Sequence, residues 1–290
     1  MNPLLLREAT KIVGWDIHGR CWHLHGTGAG REGVRIIAQS GHTFAPTGLL
    51  VSEGARQDGA TFLRSVRSKK EWDFNVFLQG PTVRGFHAIH DAWFRGWSTD
   101  RPFKVGTFTR HQGWRFQPFQ LDGPPEPIDD IDPAVNAAIT YQMSATAMDP
   151  LEHHLEETST WRNSDAFGEG VLMARNAADQ PAWPRYTMNG PGRWVIGDPL
   201  TDDPTRIVET PTIEAGETLR IDSHPRHRTA RVYSGAEPSG RNVWGQLAGR
   251  RWFRSVDPWS SLPITVVVSD GGTTESEITV TVTPRSSRPF

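Results

Sequence analysis

The sequence predicts a mainly β protein in two parts: an N-terminal β-sandwich over residues 1–156 with one α-helix and a hairpin, and a second β-sandwich over residues 157–290. Three observations predict it. Short stretches alternate apolar and polar side chains, the period of a half-buried strand. Gly (28) and Pro (22) are frequent and fall between those stretches, where turns need them. From about Glu157 the texture shifts to segments rich in Trp, Gly, Pro and Asn, and a length of 290 residues accommodates two domains of ordinary size.

Composition narrows the function. The net charge is −2 and the basic residues are scattered, so the chain lacks the electrostatic footprint that phosphate backbones select, and no nucleic-acid partner is expected. One cysteine closes no intrachain disulfide. The opening MNPLLLREAT holds only Leu4 to Leu6 as an apolar run, too short for a signal-peptide core or a membrane span, so no membrane insertion is expected.

In order along the chain, CWHLHG alternates Trp22 and Leu24 with His23 and His25, a strand with two imidazoles on one face about 7 Å apart. With Cys21 and His18 adjacent, a metal is conceivable. Zinc needs three or four ligands at recurrent spacings, however, and none completes the set nearby in sequence. The expectation is a polar strand face, with no metal or other cofactor. GTGAGREG then holds Gly26, Gly28 and Gly30, but VRIIAQSG after it looks like a strand where a dinucleotide fingerprint requires a helix, so a Gly-rich hairpin loop is expected.

WDFNVFLQG alternates Trp72, Phe74 and Val76 with polar residues and ends at Gly80 and Pro81. The period then changes. In TVRGFHAIHDAWFRGW, Phe86, Ile89, Trp93 and Trp97 fall at steps of three or four, a helix stripe with Thr82 as its cap, weakened by Gly85 and Gly96. His87, His90 and Asp91 on that helix miss the i, i+4 spacing of a zinc pair, and a solvated face is expected. FKVGTFTRHQGWRFQPFQL reads as a hairpin turning at His111 to Gly113. A Pro-rich connector with Asp129, Asp130 and Asp132 leads to a strand around Ile139 to Ala147. These acids lack the glycine and distal glutamate of a calcium loop and are expected to be turn residues. In the second part IEAGETLRID reads as a strand pair about Ala215 and Gly216. LPITVVVSDGGTTESEITVTVTP reads as a pair about Asp270 to Gly272, with Ile278, Val280 and Val282 facing one way. The tail PRSSRPF is expected to be disordered.

The collinear order of GPTVRGFHAIHDAWFRGW, FKVGTFTRHQGWRFQPFQL and ITYQMSATAMDPLEH, followed by WPRYTMNGPGRWVIGDP, IEAGETLRID and RRWFRSVDP, resembles the distal tail protein (Dit) and minor tail protein family of long-tailed phages that infect actinobacteria. The resemblance spans nearly the whole chain. It implies an N-terminal ring-forming domain and a C-terminal galectin-like or carbohydrate-module-like sandwich. It further implies a virion protein of the tail tip, six copies forming a hexameric ring that joins the tail tube to the baseplate and other tip proteins. Such a role needs no catalytic constellation.

Two sets of residues are candidates for contact. Arg67, Lys69 and Lys70 in SVRSKKEW form a basic edge for an acidic neighbour, or a charge run that discourages stray strand pairing. Trp183, Trp194, Trp244, Trp252 and Trp259 would stack on sugars if exposed together, or else pack a core or a hub interface. A carbohydrate-binding module or lectin recognising host-surface glycans is therefore the alternative function. A hydrolase using Asp129 or Glu152 would need a second carboxylate across a cleft, and no enzyme is expected.

Overall fold

Alternation sets the faces of the strands, and the computed structural model, which describes residues 9–128, 132–164, 168–198 and 206–290, shows where those faces meet. The chain divides into two units: unit 1 runs to His153 and takes back Ser286–Phe290, and unit 2 is His154–Arg285.

Unit 1 begins with β1 (Lys11–Trp15), β2 (Cys21–His25), β3 (Val34–Ser40), β4 (Thr47–Ser52), β5 (Thr61–Arg67) and β6 (Lys70–Gln79). Helix α1 (Val83–Arg95) precedes β7 (Phe103–Thr109), β8 (Gly113–Leu121) and β9 (Glu126–Pro127). A short helix α2 (Pro133–Asn136) leads to β10 (Ala138–Ala147) and β11 (Glu152–His154). The strand order is β2-β1-β7-β8-β10-β6-β3. β8 bends the path: residues 113–119 pair with β7, while Gln120 and Leu121 pair with Thr146 and Ala145 of β10.

The expected strands and helix form for the expected reasons. On β6 Trp72, Phe74, Val76 and Leu78 are all buried, and on β2 so are Trp22 and Leu24. In α1 the Thr82 hydroxyl accepts from the Gly85 N–H, and Phe86 and Trp93 are buried. The Trp-rich composition becomes an aromatic core. Trp93 meets Trp22 edge-on at 5.2 Å, Trp72 stacks on Phe74 at 4.1 Å, and Trp97 stacks on Phe103 at 4.1 Å. Gly14 permits this packing, since a Cβ there would lie 2.2 Å from the Phe103 ring.

Unit 2 contains β12 (Glu157–Arg162), β13 (Glu169–Asn176), β14 (Pro184–Asn189), β15 (Arg193–Gly197), β16 (Ile207–Glu209) and β17 (Thr218–Asp222). It continues with β18 (Thr229–Tyr233), β19 (Arg241–Asn242), β20 (Ser260–Ser269) and β21 (Glu277–Val282). One sheet runs β12-β21-β14-β17-β18-β19, the other β13-β20-β15-β16. Leu172, Trp194, Ile196 and Ile264 of the smaller sheet share one core with Tyr186, Leu219, Val232 and Val280 of the larger, so the unit is a sandwich.

The structure corrects four expectations. β20 and β21, read as a strand pair, lie in different sheets. β2 and β3, read as a hairpin around the glycines, occupy opposite ends of the strand order. Of IEAGETLRID only β17 is a strand; Ile213 before it forms an isolated bridge with Gly192. The tail is ordered: Arg285–Ser286 forms β22, which pairs with β11. The Ser287 carbonyl accepts from the Ala45 N–H at 3.1 Å, and that of Arg288 accepts from the Arg115 guanidinium at 2.8 Å. A backbone N–H and a side-chain guanidinium elsewhere in unit 1 thus donate to tail carbonyls and hold a sequence that looks unstructured by composition.

Candidate functional site

The β4–β5 ribbon departs most from a packed fold. Every residue of both strands is exposed. Leu49 is 70% exposed, Phe62 60% and Leu63 55%, with Leu50, Val51 and Val66 also outside. Consecutive strand residues point to opposite faces, so Leu49, Leu50 and Val51 make both faces apolar. The two strands pair with each other as a separate two-stranded sheet, with a register shift at Leu50/Val51. A ribbon of that kind is marginal in water by itself, and solvating this many large apolar groups opposes the hydrophobic effect. The sequence signal was the run of Leu49, Leu50 and Val51 answered by Phe62, Leu63 and Val66 across the polar, Gly-containing loop 53–60.

The base of the ribbon holds the basic residues singled out above, and they part company. Arg67 ends β5 and is exposed. Lys69 is half-exposed and pairs with Glu71 at 2.9 Å and Asp122 at 3.9 Å, contacts that solvent largely screens. Lys70 is not on the surface at all. It is fully buried, its Nζ 2.8 Å from Glu152 Oε1 and 3.4 Å from Gln117 Oε1. The reason is register: Lys70 shares the inward face of β6 with Trp72 and Phe74, as counting back by twos from Trp72 gives. Gln117 in turn donates to the Asp149 carbonyl. Burial pushes the Glu152 carboxyl up, and the Lys70 ammonium opposes that push. Glu152 is thus committed to an ion pair and is no open catalytic acid.

His42 lies beside this pair, buried, 5.4 Å from the Trp72 ring and 6.2 Å from Phe119. Burial, aided by the Lys70 charge, pulls its pKa from 6.5 down to about 3. The unfolded chain therefore takes up this proton before the folded one. His42's contribution to stability is complete above pH 6.5 and is lost by up to about 1.4 kcal/mol per pH unit as pH falls towards 3. His42→Leu is expected to shrink the stability difference between about pH 7.5 and about pH 4.5 by about 2–3 kcal/mol in urea unfolding. An unchanged difference would show that His42 titrates normally.

Several of the other sequence candidates have partners within unit 1. His23 Nδ1 lies 2.9 Å from Glu32 Oε1, and its backbone N–H donates to Glu32 Oε2 at 2.8 Å, a partner nine residues away that the sequence reading missed. His25 is exposed, His90 Nε2 lies 3.0 Å from the Tyr141 hydroxyl, and Asp91 pairs with Arg95. No group of three metal-ligating residues occurs among the described residues. Asp132 caps α2 by accepting from the Ala134 N–H at 2.9 Å; Asp129 and Asp130 lie outside the described residues.

The five tryptophans differ in exposure. Trp194 and Trp252 are buried in the unit 2 core, where their apolar area outweighs any surface role. Trp244 is partly buried against that core, and Trp183 is partly buried with its ring 6.2 Å from His224. Trp259 stands out at 70% exposed, on a backbone with φ of 55°.

No family model matches the chain. It is 23% identical over 319 residues to the minor tail protein Gp27 of Mycobacterium phage L5, covering 90% of this chain and 92% of that one. Among solved structures, the Dit (gp 19.1) protein of SPP1, described as a paradigm of the hub adsorption apparatus in Gram-positive infecting phages, matches with a TM-score of 0.64 at 9% identity. That match covers 96% of this chain and 99% of the other. A chain of the phage P2 baseplate in its activated conformation matches with a TM-score of 0.58 at 8% identity, covering 94% and 98%. The expected likeness to distal tail and minor tail proteins is borne out over nearly the whole length, and the mainly β fold is that of the Dit protein.

Proposed function

From a chain that has the fold of a distal tail protein and the sequence of a relative of a phage minor tail protein, we propose a structural protein of the phage tail tip. In this reading it is a hub subunit that self-associates, six copies to a ring, between the tail tube and the baseplate or tip proteins. The observation that carries it is the β4–β5 ribbon, apolar on both faces and paired as a sheet of its own. A second copy that covers such a ribbon removes its apolar surface from water, and closed rotational symmetry repeats the contact around a ring. The reading assigns no catalytic step to the chain. The glycan-binding alternative has less behind it, since two of the five tryptophans it needed are core residues.

Mass photometry of the purified chain over a range of concentrations, with negative-stain imaging, tests self-association. Rings of defined copy number are expected, together with co-purification of the chain with tube and tip proteins from intact particles. A strict monomer at every concentration, absent from particles, would overturn the proposal.

A further inference from the structure

A cleft of about 560 Å³ in unit 1 is lined by Arg20, Arg31 and Arg35, with Glu32, Phe77 and Ile89. Arg20 precedes β2, Arg31 sits in the glycine-rich loop and Arg35 is on β3. Gly33 brings the loop against β6 and α1. Its φ is +81°, and a Cβ there would lie 2.5 Å from the Gln79 carbonyl oxygen and 2.6 Å from Ile89. Only glycine fits so close an approach at that φ, and the approach carries Arg31 and Arg35 to one cleft.

The charge of the cleft is uncompensated from within. Glu32 has both oxygens engaged by His23. Among the described residues Arg20, Arg31 and Arg35, all exposed, form no ion pair. Two of them are held by aromatic faces, Arg20 over Trp22 at 4.2 Å and Arg35 over Phe77 at 5.0 Å. Stacking fixes a guanidinium plane while its N–H edge stays free for a carboxylate fork. Two stacked guanidinium groups and the unstacked Arg31 beside one committed acid, in a chain whose net charge is −2, make a local positive site.

We propose that this cleft docks an acidic segment of a protein partner. Carboxylates of that segment accept from Arg20, Arg31 and Arg35, and an apolar side chain seats against Ile89, beside the Phe77 ring that Arg35 covers. The floor favours a peptide over a sulfated or phosphorylated glycan: Arg35 already covers the Phe77 ring face on which a sugar would stack, and what remains is the aliphatic Ile89, which suits a Leu-like side chain. The site does not depend on ring formation.

Fluorescence anisotropy with the full chain and a labelled Glu-Leu-Glu-Glu-Leu-Glu peptide tests it, with a chondroitin sulfate hexasaccharide as competitor. Binding is expected to weaken as salt is raised, and to fall about tenfold or more in Arg31→Ala/Arg35→Ala. The single charge reversal Arg31→Glu, at a side chain that stacks on no ring, should lose as much while the melting temperature stays that of the wild type. Equal peptide binding by wild type and Arg31→Glu would overturn the proposal. So would the saccharide binding more tightly than the peptide at the same arginines.

Discussion

Lys70→Met is expected to destabilise unit 1 by about 3–5 kcal/mol, because it strands the Glu152 carboxylate in the interior without its cation. Both side chains are essentially inaccessible, so no solvent rearrangement can take over from the 2.8 Å contact. Gln117 loses a donor at the same time. In calorimetry the loss should appear as a fall of about 10 °C or more in the unit 1 transition. The double variant Lys70→Met/Glu152→Leu should recover most of it, since a buried pair exchanged for apolar groups of similar volume is often neutral. Should the double variant melt as early as the single, the defect would be one of packing at Lys70, and the ion pair would not be what anchors the start of β6 to β11.

Leu49→Asp/Phe62→Asp is expected to abolish self-association and to leave the fold of the single chain intact. Both side chains already face water, at 70% and 60% exposure, so the isolated chain sacrifices no core contact. In an assembled contact each would bury an apolar side chain worth about 1.5–3 kcal/mol, and a buried carboxylate adds a further penalty. Losing about 3 kcal/mol per contact weakens it on the order of a hundredfold, compounded around a closed ring. Mass photometry should then report monomers while the melting temperature of unit 1 is unchanged. Rings that persist in this variant would move the contact elsewhere and leave the ribbon without its proposed role.

Much of the fold was legible because strand and helix faces are written locally. Trp72, Phe74 and Val76 alternate within one segment, Phe86 and Trp93 share a helix stripe, and Thr82 caps that helix by contacts four residues long. The same local rule, applied one step further back, places Lys70 inside. What misled there was reading SVRSKKEW as a charge run and not as the start of a strand with a face already chosen. The burial of Trp194 was hidden for the opposite reason: it alternates with Ile196 and lies in a core built by both sheets of unit 2, and nothing near it in sequence names the far sheet.

The sequence by itself determined which residues of β2, β6 and β21 face inward, where the helix begins, and the likeness of nearly the whole chain to distal tail proteins. All of these depend on side-chain period and on order along the chain. Only the tertiary structure decided which strands are neighbours. It placed β20 and β21 in different sheets, drew the tail back to unit 1, paired Lys70 with Glu152, and left the β4–β5 ribbon without a core to cover. Partner choice follows from the burial of surfaces contributed by segments far apart in the chain, and a period of two residues carries no record of what lies on the other side.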